Sequence, residues 1–524
     1  MMSVVQCGSL CGIDAIGVRV EASPIRGLPG FDIVGLPEAG IRESRVRVLA
    51  ALRNCGFELP EQRFVVNLAP ADLRKSGSSF DLAIAIALLA QCGQCAPNLL
   101  GDTLVLAEMS LDGQLRPARG LLAQLRSARR RGLRAALIAE ADASVASMVD
   151  GLRVYCAGHL CEAVAFLGGE HPLSGPPALR AEARASQLDL RDVRGQLAAK
   201  RALEVAAAGR HDLLMVGPPG AGKTMLAQRL PGLLPAPSPA EALEIATIAS
   251  AGGVRSEPGV RPFRAPHHGC SDVALIGGGD PIRPGEVTLA HGGVLFLDEL
   301  PEFKRVALEA LRPTMESGTA VIVRARDRAQ MPAKPLIVAA MNPCPCGYQG
   351  QARRICRCTP DQVQRYRGRV SGPLMDRFDL QISLPPLSVS ELEDAAPGDD
   401  TDTVRARVGA AREYRRAREQ ARAKLPHDAR SPLLKLAAEL EPSALRLLHR
   451  SMGQLELSLR AYVKVLKVAR TIADLDRRDR VGVPHVAEAI QYRVFDRDGE
   501  RPRPRPAAAI AAPRPRAAPP SKER

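Results

Sequence analysis

The sequence predicts a multidomain protein. It should hold an N-terminal α+β domain (residues 1–167), a linker (168–187), an α/β core of the phosphate-loop type (188–385), an all-α lid (386–498) and a disordered basic tail (499–524). Three observations predict this. At 524 residues the chain exceeds one compact core, so two to four domains are expected. Composition breaks fall at GGEHPLSGPPALRAEARASQ (168–187), at LPPLSVSELEDAAPGDDTD (384–402) and at the Arg-Pro alternation from about Gly499. The periodicity also changes along the chain. Short strands such as RFVVNLA alternate with helical FDLAIAIALLAQ before the linker, and apolar strands and helices repeat in the centre. From 403 to 495 the period is helical, as in LRAYVKVLKVARTIADL. In the tail, Arg and Pro leave too little apolar surface to offset ordering entropy.

Composition narrows the function. Hydrophobic residues at 46% and charged residues at 25% describe an ordinary globular chain. A balance of 72 basic to 57 acidic residues gives +15, which favours an acidic partner such as DNA. The last 25 residues hold seven Lys/Arg and two Glu, so +10 belongs to the rest. Aromatic residues are 3% and Trp is absent, which argues against stacking platforms for single strands. Any nucleic acid should therefore be held by its phosphate backbone, without sequence reading. No Lys or Arg precedes Arg19, so a signal peptide's basic start is missing. The longest apolar run, Leu82 to Ala90, is well short of the ~18 residues that span a bilayer. Twelve cysteines then read as cytoplasmic thiols, with a metal site where they cluster.

The chemistry begins at LLMVGPPGAGKTMLAQRL (213–230). Gly217, Pro218, Pro219, Gly220, Ala221, Gly222, Lys223 and Thr224 fill the pattern G-x-x-x-x-G-K-[ST] between an apolar strand and a helix. Glycines let backbone N–H groups wrap phosphates, and the helix presents its positive end. Lys223 should reach the β and γ phosphates of ATP, and Thr224 should hold Mg²⁺. In GGVLFLDELPEF, Asp298 and Glu299 end a buried strand: Asp298 suits Mg²⁺, and Glu299 suits the base that orients water. PLIVAAMNPCPCG ends a strand at Asn342, placed to sense the γ phosphate. In SGPLMDRFDL, Arg377 could project into a neighbouring subunit's site.

These pieces, with RPFRAPHHGCSDVALIGGG and RPGEVTLAHGGVLFLDELPEF, resemble the YifB/ComM family of magnesium-chelatase-like AAA+ ATPases over about residues 3 to 495. The resemblance implies a homo-hexameric ring with ATP sites between subunits. It also implies DNA helicase and branch-migration activity in recombination during natural transformation, with recombination proteins as partners. By position it makes Lys223 and Thr224 Walker A, Asp298 and Glu299 Walker B, Asn342 sensor 1, Arg377 the arginine finger and Arg460 sensor 2. It places Val193 and Gly195, in LRDVRGQLAAKRALEVAAAG, near the base.

In this clade, insertions beside the core strands point into the pore. Alternation in ESGTAVIVRARDRAQMPAK puts Arg324, Arg326 and Arg328 on one face of a strand, suited to a phosphate backbone. A solvated edge ribbon whose charges deter aggregation is the other reading. Arg264, His267 and His268 are pore contacts or loop-stabilising hydrogen bonds. The basic helix VRARVGAAREYRRAREQARAK contacts DNA or is a solvated face.

CPCGYQGQARRICRC brackets a basic loop with Cys344, Cys346, Cys356 and Cys358. Four thiolates suit structural Zn²⁺, while reduced thiols packing a loop are the alternative. LRKSGSSFDLAIAIALL resembles the ribosomal-S5-like fold of Lon-type proteases, with Ser79 near their nucleophile. Leu122 stands at about the place of the lysine such a dyad needs, so Ser79 reads as a turn or capping residue and proteolysis is rejected. The expectation is an ATP-driven DNA motor. The alternative is a chelatase-like ATPase that remodels a partner protein.

Overall fold

The computed structural model describes residues 3–71, 75, 79–96, 100–176, 188–257, 259–324, 328–351, 354–386, 391, 393, 398–423, 436, 437, 439–455 and 458–493. The expected tail and most of the expected linker lie outside the described residues.

The N-terminal part is built on a seven-stranded mixed sheet. Its order is Gly30–Val34, Arg63–Ala69, Asp14–Ile25, Ser3–Cys11, Thr103–Leu106, Ala135–Ala139 and Arg153–Ala157. The helix Asp81–Gln91 is apolar on all sides, and every residue from Asp81 to Leu89 is buried, as a helix sunk in the core must be. Its one charge, Asp81, accepts from Arg47 Nε at 2.8 Å and Nη2 at 3.1 Å. Ser79 is buried in the turn before this helix, and Leu122 is fully buried in the helix Leu121–Arg130. Removing Asp81 would strand the Arg47 guanidinium, which keeps 26% of its side chain exposed. Asp81→Ala should therefore destabilise this part by about 3 kcal/mol, the low end for a broken buried pair. Amide hydrogen exchange in Asp81–Gln91 checks this: protection should fall by about two orders of magnitude.

The central part is a five-stranded parallel sheet in the order Phe263–Arg264, Val294–Leu297, Leu336–Met341, Leu213–Val216 and Leu380–Ser383. A parallel sheet covered on both faces needs apolar residues at every position, which explains the unbroken runs LLMV and VLFL. Leu213, Met215, Val294 and Phe296 face one cluster; Leu214, Val216, Leu295 and Leu297 face the other. The first cluster extends into Val465, Val468 and Ile472 of the helix Leu459–Leu475. The C-terminal part is helical: Thr401–Ala423, Pro442–Gln454, Leu459–Leu475 and Val483–Gln491.

The basic helix Thr401–Ala423 has several of its arginines engaged within the chain, while Arg415 and Arg416 are exposed. Arg407 Nε reaches Glu204 at 2.5 Å, and Arg412 Nη2 donates to the carbonyl of Ala207 at 2.6 Å. Arg418 joins Glu439 at 3.0 Å and Asp474 at 3.2 Å. These arginines fasten the helix to its own subunit.

The ribbon expected to carry three arginines on one strand is instead a hairpin, Thr319–Val323 against Arg328–Pro332, with Val323 opposite Arg328. The reason is phase. Ile322 and Ala329 are both buried, an odd number of residues apart, and a strand of period two cannot bury both without a turn. Arg324 and Arg328 are exposed at the tip end, while Arg326 lies outside the described residues. Ile322, Ala329 and Met331 form one cluster with Ile282, and Ile13 of the N-terminal part packs against it. A second seam joins the two parts, where Gly120 N donates to Ser250 O at 3.1 Å and Arg119 Nε to Ala251 O at 3.0 Å.

Candidate nucleotide site

Three parallel strands end side by side and deliver the site at their carboxyl edge, where ligands of open α/β sheets bind. Leu213–Val216 ends in the phosphate loop, Val294–Leu297 in Asp298 and Glu299, and Leu336–Met341 in Asn342. Gly217 N donates to Met341 O at 3.2 Å, which ties the loop to its neighbour. Gly220 and Gly222 have φ of +79° and +86°, and the helix Lys223–Leu233 starts directly behind them. Its first turn aims free N–H groups at the loop's concavity.

Lys223 Nζ donates to Gly217 O at 2.6 Å, Pro218 O at 2.9 Å and Asn342 Oδ1 at 3.1 Å. Burial lowers its pKa from the ordinary lysine value, against the opposing pull of Asp298 and Glu299. Thr224 Oγ1 donates to Asp298 Oδ2 at 2.9 Å. A hydroxyl and a carboxylate converging beside a phosphate loop are hard oxygen donors of the kind Mg²⁺ takes, so these residues fit that ion. Glu299 is the one described residue of the strand ends held at φ +52°, a strained conformation for a non-glycine residue.

Val193 is buried, and Gly195 turns the chain at φ +63°. The next residue, Gln196, donates to Pro385 O at 2.9 Å and Ala221 O at 3.4 Å, so this segment is fastened to the loop.

Arg377 and Arg460 lie elsewhere. Arg377 stands three residues before Leu380–Ser383, whose Leu380 N bonds to Asp212 O just ahead of the loop strand. The arginine therefore sits at the amino edge of the parallel sheet, across the sheet from its own phosphate loop. Arg460 joins it there, lining one cleft of about 520 Å³ with Asp212, Glu316 and Lys464. Arg377 pairs with Glu316, and burial followed by the nearby Arg460 lowers its pKa. Lys464 clamps this corner, donating to Arg377 O at 2.5 Å and meeting Asp379 at 2.7 Å. Asp212 is pushed up to about 7 by burial and by Asp379.

Of the two readings open for Arg264, His267 and His268, pore contact or loop-stabilising hydrogen bond, the described contacts are of the second kind within the chain. Arg264 makes a two-point pair with Glu286, at 2.6 and 2.7 Å, and its charge is spent there. His268 Nδ1 lies 3.1 Å from Glu299 Oε2, and the His267 ring lies beside it, tilted by 33° with ring centroids 4.1 Å apart. Both histidines leave a strand that runs parallel to the Asp298 strand, which carries them to the nucleotide edge.

The four cysteines come together, with every pair of sulfurs within 4.8 Å. Cys344 lies 3.4 Å from Cys346 and 3.7 Å from Cys356. A tetrahedral zinc with bonds of ~2.3 Å separates its sulfurs by about 3.8 Å, so the residues fit that ion. Backbone N–H groups of Tyr348 and Arg357 lower the Cys346 thiol to about 6.

Two supports went unread in the sequence. Gly347, at φ +82°, packs on the loop so closely that a Cβ would lie 2.7 Å from Pro219 Cδ. Tyr366 hydrogen-bonds the backbone of Asn342, and burial pushes its hydroxyl up to about 12. The φ of Gly347 could have been guessed from its place after C-P-C; Tyr366 left no local signal.

Comparison with known proteins agrees with this construction. The family model described as magnesium chelatase, subunit ChlI, matches residues 189–392. Those described as subunit ChlI of Mg-chelatase and as its C-terminal part match 20–142 and 398–493. The chain is 45% identical over 502 residues to the uncharacterized protein YifB of Escherichia coli, covering 95% of this chain and 98% of the relative. It is 42% identical over 507 residues to the competence protein ComM of Haemophilus influenzae, with the same coverage. Membership of such a family suggests an ATPase using ATP and Mg²⁺. With a phosphate loop, a paired acidic strand end, three family matches in order along the chain and relatives 42–45% identical over nearly its whole length, the chain belongs to the YifB/ComM magnesium-chelatase-like family.

Proposed function

We propose that the protein is an ATP-hydrolysing hexameric AAA+ motor that acts on DNA, as a helicase or branch-migration translocase in recombination during natural transformation. The observation that carries this reading is the split of the site across the sheet. Lys223, Asp298 and Glu299 stand at the carboxyl edge, Arg377 and Arg460 at the amino edge. A ring in which one subunit's amino edge meets the next subunit's carboxyl edge completes every site in trans. When bound, ATP with Mg²⁺ supplies the reactive γ phosphate. Lys223 holds the phosphates, Glu299 accepts the proton of the attacking water, and Asn342 fixes both Lys223 and the phosphate end. Arg377 and Arg460 of a neighbour stabilise charge on the transferring group. Zinc held by Cys344, Cys346, Cys356 and Cys358 would stiffen the segment whose Gly347 braces Pro219. No open position would remain on it for catalysis.

Support for DNA comes from the net +15, from Arg324 and Arg328 at a hairpin tip and from the competence protein among the relatives. The family-model descriptions support a second reading, an ATPase that remodels a partner protein, as in a chelatase. Hydrolysis should be stimulated several-fold by single-stranded or branched DNA at low salt and less at moderate salt. Arg324→Ala/Arg328→Ala should lose that stimulation while keeping basal hydrolysis. Basal activity that ignores DNA at every salt concentration would favour the protein-remodelling reading.

A further inference from the structure

A second cluster of soft ligands lies in the N-terminal part, remote in sequence from the nucleotide machinery. Cys55, His159 and Cys161 place three ligand atoms within 4.8 Å of one another. They come from separate elements: Cys55 closes the helix Ala39–Asn54, while His159 and Cys161 open the helix Leu160–Gly168. Between them runs the turn of Asp112 and Gly113. Gly113 has φ +89°, and a Cβ there would lie 2.4 Å from Cys55 Sγ and 3.0 Å from His159 Nε2. The turn can approach the cluster this closely only as glycine.

The imidazole is already oriented. His159 Nε2 lies 2.9 Å from the carbonyl of Asp112. A carbonyl only accepts, so Nε2 carries the proton and Nδ1 keeps its lone pair. Metal-bound histidines characteristically donate their other N–H to such a carbonyl, which fixes tautomer and ring plane. Nδ1 faces the amide of Cys161 across a long 3.3 Å bond, which a stronger ligand could replace. Cys161 is exposed, and it lines a cleft of about 520 Å³ with Phe57, Cys95 and Glu170, so an ion can reach this ligand from solvent.

We propose that Cys55, His159 and Cys161 form a second metal site, for a thiophilic divalent cation of the zinc type, with one coordination position open. Two thiolates and one imidazole are a Cys₂His set, and a tetrahedral ion would separate its ligand atoms by about 3.5–3.8 Å. The ligand atoms lie within 4.8 Å of one another, so binding would draw them closer together. The Cys344 cluster is closed by four sulfurs; this one is not, so it should bind more weakly and exchange its ion faster.

The test uses the full-length protein, reduced and handled without oxygen. Zinc per chain is counted by elemental mass spectrometry after gel filtration, and Co²⁺ serves as the spectroscopic probe. The wild type should carry one more zinc per chain than Cys55→Ser/Cys161→Ser. In a Cys344→Ser/Cys356→Ser background, Co²⁺ should still give thiolate charge-transfer absorption, lost when Cys55 and Cys161 are also replaced. His159→Ala should weaken the Co²⁺ affinity of this site at least tenfold. If the Cys344 pair variant does not fold, the zinc counts of wild type and Cys55→Ser/Cys161→Ser decide alone. Equal counts would overturn the proposal, as would Co²⁺ absorption in the Cys344→Ser/Cys356→Ser background that is unchanged when Cys55 and Cys161 are also replaced.

Discussion

Glu299→Gln should bind ATP as the wild type does and hydrolyse it at least about 100-fold more slowly, the usual contribution of a positioned general base. The amide keeps the size of the carboxylate but cannot take a proton from water. Asp298, not Glu299, meets Thr224 at 2.9 Å, so the substitution leaves the expected Mg²⁺ donors in place. Fluorescent-nucleotide binding and phosphate release, measured on the same preparation, separate the two effects. Equal loss of binding and turnover would show that Glu299 holds the nucleotide instead. The contact with His268, 3.1 Å from Glu299, adds a control. His268→Ala frees the carboxylate without removing it and should retain hydrolysis that Glu299→Gln loses.

The second large effect belongs to Arg377. Arg377→Ala should lower hydrolysis by about 10³-fold or more, the range for an arginine finger. Because Arg377 lies across the sheet from Lys223 of its own chain, the two defects should complement. Mixing Arg377→Ala with Lys223→Ala subunits creates interfaces in which one chain supplies an intact phosphate loop and its neighbour an intact arginine. Activity should then rise well above the sum of the separate variants. A mixture no more active than its parts would place Arg377 in the service of its own subunit and remove the main support for the ring.

The signals legible in the sequence were those confined to one stretch of chain. LLMV and VLFL read correctly because burial on both faces of a parallel sheet leaves no polar position to blur the pattern. The phosphate loop is likewise one continuous octapeptide. Partnerships formed at a distance were not legible. For Arg264 the sequence left a pore contact and a loop-stabilising hydrogen bond both open, and only the fold brought Glu286, 22 residues on, into a two-point pair. The His268–Glu299 contact depends on two strands lying parallel, which no spacing within RAPHHG announces. The one-strand arrangement of the arginines was misleading for a subtler reason. Alternating arginines suggested one strand, but the phase of the apolar residues Ile322 and Ala329 required two, and apolar burial outweighs the pattern of exposed charge.

The packing of Ile13 on the arginine hairpin has a mechanical consequence. Gly12 brings the N-terminal turn so near that a Cβ would stand 3.4 Å from Ala329 Cβ and 3.7 Å from Met331 Sδ. The hairpin is thus a lever with two supports, one on the nucleotide-binding core and one on the N-terminal sheet. A lever pinned twice does not flap; it travels with its supports. In the proposed motor, any movement of the hairpin tip would therefore be transmitted to the N-terminal part, and load placed on that part would reach the tip.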